Sequence, residues 1–212
     1  GTIQSAIDSS QPAHSRAGKQ GRLSCKKLDL HLRLVQMSRL DSAIRRLQAQ
    51  RACLDWAVGE LAALPDLATA PVLELGLGNG RTYDHLRDRL HDAHGDHLPN
   101  REIFVFERKV AAHPDCVPDA AHLFEGDFRD NLPNALARIG ARAGLAHCDI
   151  GSGDAALTKA LADFVGPALA PLLAPGAVVA ADQALAIPGC QPVPLPDGVA
   201  VGRYHLYRMA SG

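Results

Sequence analysis

Glu74, Gly76, Gly78 and Gly80 occupy alternate positions in ELGLGNG, directly after the apolar run Val72, Leu73 and Leu75. A carboxylate and three glycines at a strand exit can grip a nucleotide-like cofactor. The glycines let the chain turn sharply and bring its amides close to a ligand, an approach that a Cβ would obstruct. Pro71 stands where a strand can begin without losing an interior ladder bond. After the turn, Leu86 and Leu90 repeat at helical spacing and Thr82 is placed to cap the helix. A dinucleotide fingerprint, GxGxxG, needs a third glycine at position 81, where Arg81 stands. That spacing counts against a nicotinamide cofactor.

Further carboxylates close the later apolar runs. Glu107 follows residues 103–106, Asp127 lies in EGDF after residues 121–124, Asp149 lies in HCDIGSG within residues 145–150, and Asp182 follows residues 177–181 in AADQ. In a doubly wound sheet, ligands collect outside the carboxyl ends of the strands where the strand order reverses. Each residue alone could be a solvated loop carboxylate; their joint occurrence points to one crevice.

The elements that must position these residues follow from periodicity. Residues 38–64 carry Leu40, Ile44, Leu47, Leu54, Val58 and Leu61 at three- and four-residue steps, a helix with one apolar face, and Ser38 with Asp41 forms a capping box at its start. Five buried runs, at 72–75, 103–106, 121–124, 145–150 and 177–181, alternate with helical spacing at 131–139 and 155–173. Pro167 and Pro171 are expected to kink or divide the last helix. Residues 199–209 are expected to form a terminal hairpin with the segment near Val193. The class is α/β, a mostly parallel twisted sheet with helices on both faces. Residues 1–27, polar and basic, read as a mobile tail; residues 28–69 read as a helical cover and 70–212 as the core of a single domain.

The pattern Glu74, Gly76, Gly78, Gly80 resembles motif I of the class I S-adenosylmethionine (SAM) dependent methyltransferases, and ELGLGNGRTYDHLR is similar to a small bacterial group of them. The resemblance covers most of residues 38–209. It is specific around 74–86 and only positional from Glu107 onward. It implies a Rossmann-like three-layer sandwich closed by a C-terminal antiparallel strand, with SAM as cofactor. Glu107 would accept from both ribose hydroxyls, Asp127 from the adenine amino group, and the Phe128 amide would address a ring nitrogen. Glu74 would orient the methionine ammonium directly or through water. The backbone of Gly76, Leu77, Gly78, Asn79 and Gly80 would pass beside the cofactor, with Thr82, Tyr83 and Asp149 completing the set. The Tyr83 ring would either face the sulfonium or pack with its hydroxyl in water.

Methyl transfer from a sulfonium asks mainly for positioning. A base is needed where the acceptor carries a proton at neutral pH, and Asp149 and His85 are the candidates, His85 reading also as a helix-surface residue. Catechol-type O-methyltransferases resemble this chain at Asp149, Asp182 and Gln183, with Gln in place of Asn. The expectation is no metal, with those three residues as the alternative site. His91, His94 and His97, interleaved with Asp92 and Asp96, read as a polar turn, because Gly95 ends the helix before His97 can join the others. The remaining alternatives are an NAD(P)-dependent oxidoreductase and a non-enzymatic SAM-binding module.

Composition fits one α/β domain and leaves small or locally recognised substrates open. A chain of 212 residues with 47% hydrophobic content can bury a sizeable core, and a net charge of −1 gives no global field for nucleic acid. The five cysteines, Cys25, Cys53, Cys116, Cys148 and Cys190, show neither CxxC pairs nor metal spacing, which fits reduced thiols in the cytoplasm. No apolar run is long enough to span a membrane, so no membrane partner is expected. The prolines and glycines between Asp182 and Val199 leave no room for an inserted substrate domain. Acceptor selection then falls to short loops, the N-terminal helix, or a second copy in a homodimer formed through that helix.

Overall fold

The computed structural model describes residues 38–92 and 101–211. By its contacts the chain divides into Gly1–Ser42 and Ala43–Gly212. Of the first unit only residues 38–42 are described. Their capping box is formed: the Ser38 hydroxyl accepts the Asp41 N–H at 3.0 Å and donates to the Asp41 carboxylate at 2.7 Å. The tail at residues 1–27 lies outside the described residues.

Helix α1 (Arg39–Ala62) buries Ala49, Gln50, Cys53, Leu54, Ala57, Val58 and Leu61. The predicted stripe starts earlier than the buried one, since Leu40 is 70% and Ile44 44% exposed. Small residues at 49, 53 and 57 make the buried stripe narrow and let the helix lie close on its neighbours, a feature that counting large apolar residues passes over.

The sheet contains β1 (Val72–Leu75), β2 (Ile103–Glu107), β3 (Leu123–Glu125), β4 (Ala143–Cys148), β5 (Leu173–Ala181), β6 (Cys190–Pro192) and β7 (His205–Met209), in the order β3-β2-β1-β4-β5-β7-β6. The first five strands pair in parallel, and β7 runs antiparallel to both β5 and β6. Side chains alternate between two apolar layers. Leu73, Leu75, Phe104, Phe106, Ala146 and Cys148 pack with helices α3 (Phe128–Asn131), α4 (Ala135–Ile139) and α5 (Ala155–Leu169). Val72, Ile103, Val105, Leu145 and Val178 pack with α1 and α2 (Arg81–Asp92). The strand order reverses between β1 and β4, which opens a crevice at their carboxyl ends.

Several boundaries move from their predicted positions. Strand β3 starts at Leu123 rather than at residue 121, because the Asp119 carboxylate holds the Ala121 and His122 amides in a turn. Strand β4 spans 143–148 rather than 145–150, since Asp182 draws the Ile150 and Gly151 amides out of the ladder. Strand β5 begins four residues early, at Leu173, and tolerates the exposed Pro175 at a register shift. The helix expected over 131–139 is broken at Pro133 into α3, a 3₁₀ turn and α4. Pro167 does not divide α5, which runs on to Leu169. Pro167 and Asp163, whose carbonyl loses its partner, are both exposed, so water can satisfy that oxygen. The terminal hairpin forms as β6 and β7, with residues 199–204 as turns.

Candidate functional site

The glycine turn joins β1 to α2 at the point of strand reversal. The Gly76 amide donates to the Phe106 carbonyl at 2.9 Å, and the Asp149 amide donates to the Leu75 carbonyl at 2.9 Å, so the exits of β1, β2 and β4 are stitched together. Gly76 has φ +94°, and a Cβ there would stand 2.1 Å from the Asp149 carbonyl oxygen. Gly78 has φ +53°, and a Cβ there would meet nothing within 4 Å among the described residues. The first glycine thus serves the fold and the second faces open space. Gly80 abuts Cys116. Asn79 is exposed and its side chain accepts the Arg81 amide at 3.4 Å, whereas Leu77 is buried in the layer beneath α2.

Glu107, at the end of β2, reaches across to this turn. One of its oxygens accepts the Gly78 N–H at 3.0 Å and the other the Lys109 N–H at 3.0 Å. The carboxylate is fixed at the mouth of the crevice, and each oxygen retains a lone pair. At the end of β3, Asp127 caps α3 by accepting the Arg129 N–H at 2.8 Å, which leaves its second oxygen without a partner among the described residues. The Phe128 ring is buried, and its N–H, at the first helical position, has no intrahelical acceptor.

Thr82 does not cap α2. It lies within the first turn, and its hydroxyl donates to the Glu74 carboxylate instead. Glu74 and His147 are register partners on β1 and β4, so both project into the same layer. The Glu74 carboxylate meets His147 Nδ1 at 2.6 Å, and His147 Nε2 meets the Tyr204 hydroxyl. Glu74 and His147 have no solvent exposure and Tyr204 only 2%. Burial alone would lower the His147 pKa, but the charge and hydrogen bond of Glu74 outweigh it and hold the imidazole above its ordinary value. Burial pushes the Tyr204 phenol well up, and nearby carboxylates add to the shift. A His in the apolar run ALAHC, level with the Glu of VLEL, was the available sign of this pair. Tyr204, 57 residues further on, gave none.

Tyr204 also borders a cavity of about 140 Å³ lined by Arg46, Gln50, Asp149, Asp182, Gln183, Gly202 and Arg203. Gln50 Nε2 donates to Asp149 at 2.9 Å. The two Asp182 oxygens accept the Ile150 and Gly151 amides at 3.0 Å each, and Gln183 Nε2 donates to Asp182 at 2.9 Å. Burial, with the charge of Asp149 adding to it, holds the Asp182 pKa above the usual carboxylate range despite these hydrogen bonds. Asp149, Asp182 and Gln183 are therefore together, with Asp149 Oδ2, both Asp182 oxygens and Gln183 Nε2 engaged by protein. Among the described residues no group of three His, Cys, Asp or Glu side chains is arranged to hold a metal.

Two predicted residues lie elsewhere. His85 faces α1, with Nε2 2.9 Å from the Asp55 carboxylate, which also binds Arg89 at 3.0 Å. The Tyr83 ring is buried under the Arg87 guanidinium, 5.0 Å from its centroid, and borders a different cavity with Ile103 and His122. His91 is exposed at the end of α2, and His94, Gly95, Asp96 and His97 lie outside the described residues. None of the helices described is long and apolar enough to cross a membrane.

The fold agrees with comparison to known proteins. A family model described as S-adenosyl-L-methionine methyltransferase matches residues 37–209. The crystal structure of an S-adenosyl-L-methionine methyl transferase from Silicibacter pomeroyi is 43% identical, covers 82% of this chain and 100% of its own, and superposes with a TM-score of 0.71. A TDP-rhamnose 3'-O-methyltransferase of calicheamicin biosynthesis, 18% identical, covers 92% of this chain and 97% of its own with a TM-score of 0.53, a likeness of fold. A comparison with curated proteins gives no match. By the family model over residues 37–209 and the 43% identical relative, the chain belongs to the S-adenosyl-L-methionine-dependent methyltransferase family.

Proposed function

We propose that the chain methylates a small-molecule acceptor in the cavity beside Asp149, with SAM held over Gly78 and between the ends of β1, β2 and β3. The observation that carries this reading is the pairing of Gly78, whose missing Cβ leaves open space, with a Glu107 carboxylate anchored to the Gly78 amide. That arrangement fits the cofactor. Glu107 can accept from two vicinal ribose hydroxyls with its remaining lone pairs, the second Asp127 oxygen can accept from the adenine amino group, and the Phe128 N–H can serve a ring nitrogen. Glu74, whose oxygens already serve Thr82 and His147, acts on the cofactor by fixing the turn above it.

When bound, SAM supplies a methyl group on a sulfonium, an electrophile that needs a nucleophile in line with it. The chain provides the positioning. Asp149 spans both regions, since its carbonyl lies against the position a Gly76 Cβ would take while its carboxylate borders the cavity. It is the residue placed to take a proton from an acceptor hydroxyl, whereas His85 is tied to Asp55 on α1. The small cavity and the near-neutral net charge favour a compact acceptor over a polymer.

The test is a transfer assay with methyl-labelled SAM and a panel of small hydroxy and amino compounds. Label in an organic product from the wild type, reduced at least 100-fold in Asp149→Asn with SAM affinity kept, supports the reading. Wild-type label appearing only in added RNA or protein would overturn it.

A further inference from the structure

Arg46 and Arg203 approach the acceptor cavity from opposite elements, α1 and the turn before β7. Neither guanidinium makes an ion pair or hydrogen bond among the described residues. The carboxylates that share the cavity take their hydrogen bonds from neutral donors, Asp149 Oδ2 from Gln50 and Asp182 from two backbone amides and Gln183. All the N–H donors of the two guanidiniums are therefore open to a ligand among the described residues. Elsewhere in the same unit Arg208 binds Glu60 and Arg89 binds Asp55, while Arg45, Arg51, Arg81, Arg108 and Arg142 have no such partner among the described residues and do not line this cavity.

From the placement of these two guanidiniums on one small cavity we infer that the methyl acceptor is a small anion, a compound whose carboxylate or phosphate is held between Arg46 and Arg203 while its nucleophilic atom lies toward Asp149. The inference rests on the methyltransferase reading given above. Guanidinium forks match an oxyanion with two parallel hydrogen bonds each, and two of them on separate elements fix the direction in which the rest of the molecule extends. A volume of about 140 Å³ admits such a charged end and a few further atoms. Tyr204 forms one wall, its hydroxyl held by His147, so that wall does not rearrange when the anion enters. Arg46 is exposed on α1 and Arg203 is partly covered, so an incoming anion can reach both guanidiniums.

The experiment is calorimetry on the full chain saturated with S-adenosylhomocysteine, titrated separately with inorganic phosphate and with sodium benzoate. Saturable binding of at least one probe, weakened tenfold or more in Arg46→Gln and in Arg203→Gln and restored in part by Arg46→Lys, is the expected result. Which probe binds distinguishes a phosphorylated acceptor from a carboxylic one. A companion transfer assay compares 4-hydroxybenzoate and its phosphate-bearing analogue with their uncharged esters; methylation of the uncharged members alone would overturn the inference. Binding of S-adenosylhomocysteine with no response to either anion, or equal anion binding by the glutamine variants, would also overturn it and leave the methyltransferase reading intact. Failure of S-adenosylhomocysteine itself to bind would remove the cofactor placement on which the inference rests, and the inference with it.

Discussion

Replacing Glu74 with Ala tests whether the buried Glu74–His147–Tyr204 chain is an ion-paired support for the site. In the native chain the carboxylate has no solvent exposure and holds the Thr82 hydroxyl with one oxygen and His147 Nδ1, at 2.6 Å, with the other. The substitution leaves an imidazole N–H and a hydroxyl buried without acceptors. Breaking a buried pair by removing one partner costs about 3–5 kcal/mol. For a domain of this size that corresponds to a fall in Tm of roughly 6–20 °C, at about 2–4 °C per kcal/mol.

The pH dependence of the loss is the more specific readout. His147 is held above its ordinary value of 6.5 in the native fold, so the folded chain binds a proton that the unfolded chain releases. Its contribution is complete below the unfolded pKa and is lost as pH rises through the folded one, with a slope of at most about 1.4 kcal/mol per pH unit. Without Glu74, burial lowers the imidazole pKa against only the smaller raising influence of Asp149 and Asp182. The stability difference between wild type and Glu74→Ala is therefore largest in weak acid and narrows as pH rises. Urea unfolding of both proteins from pH 5.5 to 9 measures this. A difference below about 1 kcal/mol throughout, or one that widens with pH, would refute the assignment of an imidazolium–carboxylate pair.

The glycine turn separates fold from ligand. Gly76→Ala drives a Cβ to 2.1 Å from the Asp149 carbonyl and is expected to lower Tm sharply, whereas Gly78→Ala meets nothing and pays only the left-handed backbone cost of about 1–2 kcal/mol. In calorimetry, Gly78→Ala should still lose SAM affinity at least tenfold. Glu107→Gln keeps the shape of the side chain but loses one acceptor oxygen, and should weaken SAM binding by tenfold or more with Tm changed by under 3 °C. Burial pushes the Cys53 thiol up to about 11 and Cys148 well above its ordinary value. Both should therefore resist iodoacetamide at pH 8 in the native protein and react in guanidinium, read by mass spectrometry.

The parts of the site that were legible in the sequence are those written locally. The alternating glycines after VLEL, the carboxylates near the ends of the apolar runs and the terminal hairpin all depend on near-neighbour patterns, while the Rossmann-like fold and the cofactor, implied by the resemblance, are borne out by the family comparisons. Parts that depend on register were not legible. That Glu74 and His147 face each other follows from the parallel pairing of β1 with β4, and Tyr204 reaches them only because β7 inserts beside β5. Thr82 had two uses open to it, a cap or a bond to Glu74, and the fully buried carboxylate took the hydroxyl. His85 and Tyr83 share the helix that follows the turn, but helical spacing carries them round to α1 and to the β2 flank. Arg46 and Arg203 carried no local signal at all, since what distinguishes them is their meeting on one cavity from elements far apart in the chain.

The most direct measurement is a crystal structure of the chain with S-adenosylhomocysteine. The account predicts the nucleoside over Gly78, both ribose hydroxyls on Glu107, the adenine amino group on Asp127, and the sulfur facing the cavity of Asp149, Arg46 and Arg203. A nucleoside seated elsewhere, or a Glu107 carboxylate that touches no part of it, would contradict the account.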